Sequence, residues 1–298
     1  MIERLNKCPL CNSGLFLNKQ DIKDHAVSKE SFILCKCSKC SLLFTNPRPD
    51  AESITPYYDF PEYFSHEDKA KNLTQLIYQK VRNYSVKKKV KLISGFHEEG
   101  RLLDYGCGTG ALLYEAKKQG WKVSGVEPNS KARTQANVKL KGKVKESLGD
   151  LPRDKKFDVI TLFHVLEHIH EIKKTVKQLI KSLRSSGYMI IAVPNPESWD
   201  AQKYGNNWAG WDVPRHLYHF NTTAMENFAE TFDLTLIEIL PMKFDSYYVS
   251  LLSEGYLEPN QNLVTRYFKA FFSGQKSNME AKNKPGYHSS NLYIFKKR

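Results

Sequence analysis

The chain has 298 residues, with 45 Lys plus Arg against 32 Asp plus Glu and a formal net charge of +13. Its 41% hydrophobic and 26% charged content is that of a folded globular chain, which excludes global disorder, a collagen-like repeat and low-complexity sequence. No run approaches the roughly 18 apolar residues that cross a bilayer, and MIERLNKCPLC lacks the apolar stretch of a signal peptide, so a cytoplasmic protein is expected.

Five of the six cysteines fall within residues 1–50. Six are too few for a disulfide scaffold in a chain this long, and in a reducing compartment clustered cysteines read as metal ligands. Cys8-Pro-Leu-Cys11 and Cys37-Ser-Lys-Cys40 are two CxxC knuckles, 25 residues apart. Each knuckle turns two thiolates to one side of a tight loop. Brought together by a hairpin, Cys8, Cys11, Cys37 and Cys40 make a closed tetrahedral site suited to structural zinc. Cys35 competes with Cys37, although the spacing favours Cys37. No His or carboxylate stands beside the knuckles, which disfavours a catalytic zinc.

Residues 47–66 carry four of the thirteen prolines and read as a connector. A helix is expected over 68–94, with Leu73, Leu76, Ile77, Val81 and Tyr84 in one apolar stripe. Its eight Lys/Arg from Lys69 to Lys91, with no acid among them, read first as a solvated face.

From Arg101 strands and helices alternate. RLLDY, KVSGVE, FDVITLF and YMIIAVPN read as strands. ALLYEAKKQG, KARTQANVKLKG and IHEIKKTVKQLIKSLRSSG read as helices, the first capped by Gly120. This alternation predicts an α/β fold with a Rossmann-like, mostly parallel sheet behind a small N-terminal zinc ribbon. Residues 195–221 read as an irregular loop. TAMENFAETF then supplies a helix, and LTLIEIL and NLYIFKK two more strands. The expected division is 1–50 for the zinc ribbon, 51–95 for the connector and basic helix, and 96–298 for the main domain.

Asp104-Tyr105-Gly106-Cys107-Gly108-Thr109-Gly110 lies where the first strand turns into a helix. Glycines there let the backbone approach a ligand closely. Glu127 ends the second strand, where a carboxylate can accept from two ribose hydroxyls. Gly106, Gly108 and Ala111 also fit the G-x-G-x-x-A dinucleotide pattern, so an NAD-dependent oxidoreductase is the first rival. Asp104, inside the strand and able to accept from an amino group, and Gly110, which makes the loop G-x-G-x-G, count against it.

DYGCGTG, then VEP, then FDVITLFHVLEH, then LRSSGYMIIAVPN, in this order, resemble a class I S-adenosylmethionine-dependent methyltransferase over residues 100–195. The resemblance implies a seven-stranded sheet. It implies that Asp104 and the backbone of Gly106, Cys107, Gly108 and Gly110 hold the methionine part of the cofactor. Glu127, beside Pro128, would hold the ribose, Ser147 and Leu148 the adenine, and Phe163 and His164 would line the cofactor. The paired knuckles followed by LLFTNPRP, with WDVPRHLYHF further on, are similar to an uncharacterised bacterial group and distantly to sugar C-methyltransferases.

His164-Val-Leu-Glu167-His168 spells the inverted zincin motif, which needs both histidines on one continuous helix. The preceding strand puts His164 at a strand end instead, so Glu167 and His168 read as loop-orienting residues. Residues 195–221 form the expected substrate loop. They hold Trp199, Asn207, Trp208, Trp211, Asp212, Arg215, His216, Tyr218 and His219. His216 is the preferred general base, since imidazole titrates near neutral pH. Arg215 is matched to a phosphate or carboxylate on the acceptor. Both also read as tethers of the loop, and His219 and Trp121 read as structural. Tyr57, Tyr58, Tyr63 and Phe64 have two open roles, a lid over the cofactor or core contacts, and Tyr247 and Tyr248 a place near the cleft. The expected acceptor is an anionic small molecule or a carrier-linked sugar or lipid precursor. An RNA methyltransferase is the runner-up, resting on the knuckles and the basic helix, and a non-catalytic binding module is the third reading.

Overall fold

The computed structural model describes residues 1–58, 73–152 and 154–298, with side chains except those of 73–80. Tyr63 and Phe64 lie outside these residues. The first strands are β1 (Ile2–Glu3), β2 (Phe16–Lys23), β3 (Ser31–Cys37), β4 (Leu43–Thr45) and β5 (Arg48–Pro49), followed by α1 (Leu73–Phe96). Strands and helices then alternate through β6 (Arg101–Tyr105), α2 (Ala111–Lys118), β7 (Lys122–Val126), α3 (Ser130–Leu140), β8 (Val144–Lys145), β9 (Phe157–Phe163), α4 (Ile172–Ser182) and β10 (Leu183–Pro194). The remainder forms α5 (Trp199–Tyr204), β11 (Tyr218–His219), α6 (Thr222–Thr231), β12 (Leu234–Pro241), α7 (Asp245–Leu257), α8 (Leu263–Glu280) and β13 (Ser290–Lys297).

Seven strands make one sheet in the order β12-β13-β10-β9-β6-β7-β8. β6 pairs parallel with both β7 and β9, and β7 with β8. A parallel sheet is covered on both faces, so its strands are apolar nearly throughout. β9, FDVITLF, is buried at every position but its last. The winding reverses between β6 and β9, which is where open α/β sheets place their ligands, beyond the strands' carboxyl ends.

Local chemistry sets the helix limits. Gly120, at φ 92, follows the end of α2 in the left-handed region that a glycine C-cap uses. The Asn129 side chain caps α3 by accepting from the Ala132 amide at 3.0 Å. The helix expected through Gly187 stops at Ser182. Lys297 donates to the Ile180 and Leu183 carbonyls at 2.9 Å each, satisfying oxygens that a longer helix would use. The stripe expected on α1 also differs. The side chains of Leu73, Leu76 and Ile77 lie outside the described ones; Val81 and Tyr84 are exposed, and among the described side chains of α1 the buried ones are Val90 and Ile93, nearer its C-terminus.

The chain divides into two compact units. One comprises residues 1–60, 164–175 and 191–294, and the other 61–163, 176–190 and 295–298. In the first, a four-stranded sheet runs β11-β4-β3-β2, with antiparallel pairing throughout. Residues 195–221, expected to be irregular, are largely ordered. They hold α5, two short 3-10 turns and β11, which sets Tyr218 opposite Phe44 and His219 opposite Leu43. Trp208 and Trp211 pack with Ile22, Phe32, Leu34 and Leu43 in one core. They are core residues rather than acceptor-facing ones. Burying a side chain of Trp208's size is worth roughly 4–6 kcal/mol. Its indole nitrogen donates to Asp200 at 2.8 Å, and that carboxylate also accepts from Ser277 at 2.6 Å and Ser289 at 2.7 Å. No described helix is long and apolar enough to cross a membrane.

Candidate active site

The glycine loop leaves β6 through Gly106, whose amide donates to the Val126 carbonyl at 2.7 Å. Gly108 has φ 53, and a Cβ there would meet nothing within 4 Å, so its backbone opens onto free space. Gly110 has φ 75, and a Cβ would come within 2.7 Å of Leu140, so packing and conformation both require glycine. Glu127 braces the loop. Its carboxylate accepts from the Gly108 amide at 2.8 Å and the Asn129 amide at 2.9 Å. Each oxygen keeps a further lone pair for another donor.

Asp104 is 4% exposed and accepts from the Thr161 hydroxyl at 2.7 Å. Burial pushes its carboxyl up to about 7, with Thr161 and Lys89 pulling the other way. A buried carboxyl tuned this far from its ordinary range beside an open glycine loop suits a cationic ligand group. Cys107 is buried, and its thiol is pushed upward by desolvation. Ser147 and Asp150 form a capping box around the turn Leu148–Asp150, with the Ser147 amide and hydroxyl each 2.9 Å from Asp150. The Lys89 ammonium lies 4.2 Å from the centre of the Phe163 ring. Pro128 is exposed, and its carbonyl accepts from Arg133 at 2.7 Å.

The other unit carries a cluster of histidines and carboxylates. His164 follows β9 at φ 56, and its amide donates to Ala192 at 3.0 Å. Glu167 and His168 occupy a 3-10 turn, Leu166–His168, so the two histidines of HVLEH do not share a helix. His164 lies 3.0 Å from Asp245 and 3.6 Å from Glu167. Burial disfavours its cation, but Asp245 and Glu167 outweigh burial and raise it to about 9. Burial holds His168 down at about 4. Its Nδ1 is 2.9 Å from the Arg215 carbonyl and 3.1 Å from the Tyr58 hydroxyl. His216 is 8% exposed, and its Nδ1 meets the Gly210 carbonyl at 2.9 Å. The His168 and His216 rings stand edge to face, 4.7 Å apart.

Arg215 does not fit the role of acceptor anchor. It is 1% exposed, and its guanidinium donates to Asp212 at 2.6 Å, Asp24 at 3.2 Å and the Tyr57 carbonyl at 2.9 Å. With its donors turned into this buried set, it clamps the chain around Asp24 to the segment before His216. Tyr57 and Tyr58 act as contacts here, since Tyr57 also donates to Glu30 at 2.7 Å. His219 is buried against Trp211, ring centres 5.2 Å apart, and Trp121 is buried with its indole nitrogen on Ser94 at 3.1 Å. The sequence reading missed Asp24 and Asp245, and placed Asp212 in the substrate loop without pairing it with Arg215. Asp24 lies 191 residues from Arg215, a separation that no local pattern spans.

The four knuckle cysteines converge, their sulfurs all within 4.8 Å of one another. Cys8 and Cys40 are 3.5 Å apart, as are Cys11 and Cys37. The two turns repeat one pattern, with Asn12 and Ser41 each at φ 61 donating back to Cys8 and Cys37. Cys35 is excluded from this group, since its thiol meets Asn18 at 3.4 Å and the Asn46 carbonyl at 3.7 Å.

The sheet order, the glycine loop after its first strand and the carboxylate ending the next define the S-adenosylmethionine-dependent methyltransferase class. The chain belongs to the Methyltransferase domain family, which it matches over residues 78–239, more than half its length. This sets aside the NAD reading. An uncharacterized methyltransferase of Staphylococcus carnosus is 31% identical over 136 residues, 43% of this chain and 66% of that protein. A ubiquinone biosynthesis O-methyltransferase of Pelagibacter ubique is 36% identical over 101 residues, 32% of this chain and 42% of that protein. The matches thus span less than two thirds of these relatives. The structure of magnesium protoporphyrin IX methyltransferase from Synechocystis shares the fold at TM-score 0.52 and 14% identity, covering 83% of this chain and 100% of that one.

Proposed function

We propose that the protein methylates a hydroxyl of a small-molecule or carrier-linked acceptor, a sugar or lipid precursor, with the glycine loop holding the cofactor and His216 taking the proton. S-adenosylmethionine supplies a methyl group already activated on a sulfonium. The chain's own residues then have to bind, align, exclude water and manage one proton. Asp104 would hold the cofactor's amino group, Glu127 the ribose hydroxyls, and the Gly106, Cys107, Gly108 and Gly110 backbone its methionine part. Phe163 and His164 would line it, and Ser147 and Leu148 would lie at the adenine.

The observation that carries the acceptor half is the committed Nδ1 of His216. With that nitrogen on the Gly210 carbonyl, the lone pair sits on Nε2 and can accept a proton. Oxygen as the methylated atom is supported by the ubiquinone biosynthesis O-methyltransferases among the relatives. The net charge of +13 suits an anionic acceptor encountered in the cytoplasm. The four knuckle cysteines would hold a structural zinc ion, since a closed set of thiolates leaves no open position.

The test uses methyl-labelled S-adenosylmethionine with a panel of small hydroxyl acceptors. His216→Gln is expected to bind S-adenosylhomocysteine as the wild type does and to lose roughly 10²–10⁴ in kcat. Near-wild-type turnover would remove His216 from this role.

A further inference from the structure

We propose that Glu167, His168 and His216 form a second metal site, for a divalent first-row transition ion, separate from the four cysteines. One donor atom of each residue lies within 4.8 Å of the other two. An ion centred in a triangle of that size sits at most about 2.8 Å from each donor, and closing to the roughly 2.0–2.2 Å of zinc–nitrogen and zinc–oxygen bonds needs side-chain shifts of under about 1 Å.

Two independent features point to an ion rather than to a packed polar cluster. The first is Glu167. It is 1% exposed, yet neither carboxylate oxygen has a hydrogen-bond partner. His164 Nδ1 stands 3.6 Å from one of them, an ion-pair contact too long for a hydrogen bond. The ion pair with His164 offsets part of the cost of burying this carboxylate, and both oxygens, without hydrogen bonds, keep lone pairs that a metal ion could take.

The second is the way the imidazoles are held. Both commit the same nitrogen to a main-chain carbonyl: His168 Nδ1 to Arg215 and His216 Nδ1 to Gly210, each at 2.9 Å. Among the described residues neither Nε2 has a hydrogen bond. His216 Nε2 lies 3.8 Å from Asp212, an ion-pair contact beyond hydrogen-bond distance. Histidines that ligate metals are oriented in this way, through the nitrogen not on the ion. The supports are themselves fixed. Arg215 is clamped between Asp24 and Asp212, and the Leu217 amide donates to the Glu167 carbonyl at 2.8 Å, tying the two ligand-bearing segments together.

Two imidazoles and one carboxylate suit zinc, iron(II) or manganese(II) better than calcium, which takes oxygen ligands throughout. The set leaves coordination positions open. In such an open position an ion would make a bound hydroxyl or water more acidic. This role rests on the function proposed above, whereas metal binding does not. With the ion bound, His216 Nε2 is a ligand, and the base role belongs to the metal-free protein.

The experiment titrates the full chain with Co²⁺ and measures metal content and the absorption spectrum. The wild type is expected to take up an equivalent beyond that of the four cysteines, without a sulfur-to-metal charge-transfer band for it. Glu167→Gln and His168→Gln should weaken this equivalent by more than about 100-fold, beyond the loss typical of a ligand's support, and leave the cysteine-bound one in place. X-ray absorption on the wild type should show imidazole nitrogen around the additional ion, a reading that needs no variant to fold. Absence of that equivalent, unchanged binding in both variants, or sulfur ligation alone would overturn the proposal. S-adenosylhomocysteine binding, followed by calorimetry in parallel, tests the methyltransferase reading separately. Its loss would leave the metal site standing.

Discussion

Asp104→Asn offers a sharp test of how the cofactor loop is tuned. The aspartate is 4% exposed and its carboxyl is raised to about 7 from an ordinary 3.8. A group whose folded pKa is raised stabilises the fold while protonated. That contribution is fully present below about pH 4 and is lost as the pH climbs through about 7. At 1.36 kcal/mol per pH unit, the span from 3.8 to about 7 is worth about 4 kcal/mol. Asparagine keeps the shape, still accepts from the Thr161 hydroxyl and does not titrate. The ligand-free variant should therefore match the wild type near pH 4 and exceed it by up to about 4 kcal/mol at pH 8. It should also bind S-adenosylhomocysteine at least about 10-fold more weakly, because the anion proposed to hold the amino group is gone. Urea unfolding of both proteins at pH 4, 6 and 8 reads the first effect, and calorimetry the second. Parallel stability curves, or a variant less stable than the wild type at pH 8, would refute the burial argument.

Two further predictions concern the other unit. Arg215→Met keeps much of the side-chain volume but leaves Asp24 and Asp212 without their buried cation, so stability should fall by about 3–5 kcal/mol in urea unfolding. A loss under about 1 kcal/mol would mean that the clamp is not holding these segments. Cys40→Ser, or treatment with a strong zinc chelator, should abolish zinc retention and lower the unfolding midpoint, whereas Cys35→Ser should retain zinc fully. Equal zinc loss in the Cys35 and Cys40 variants would contradict the assignment of the four ligands.

The parts of the fold governed by local chemistry were legible in the sequence. The βα alternation, the glycine loop and the CxxC spacing each rest on residues close in the chain, and the structure places them as that spacing implies. What escaped depends on distant contacts. Arg215 reads as an anion binder when only its neighbours are considered, and becomes a buried clamp once Asp24 is beside it. Trp208 and Trp211 read as a loaded substrate loop, yet they fill the core against β2, β3 and β4. The boundary between α4 and β10 was misplaced because Lys297, over a hundred residues away, supplies the donors for α4's last carbonyls. The HVLEH string gave the ingredients of the histidine–carboxylate cluster, but His216 joins it only through the folded loop.

The loop from Gly106 to Gly110, with Asp104 and Glu127, is proposed to hold S-adenosylmethionine. Calorimetric titration of the wild type and Glu127→Ala with S-adenosylhomocysteine, with NAD as the parallel ligand, tests it most directly. S-adenosylhomocysteine alone should bind, weakened at least about 10-fold, or about 1.4 kcal/mol, in the variant. Binding of NAD instead, or equal affinity in the two proteins, would contradict it.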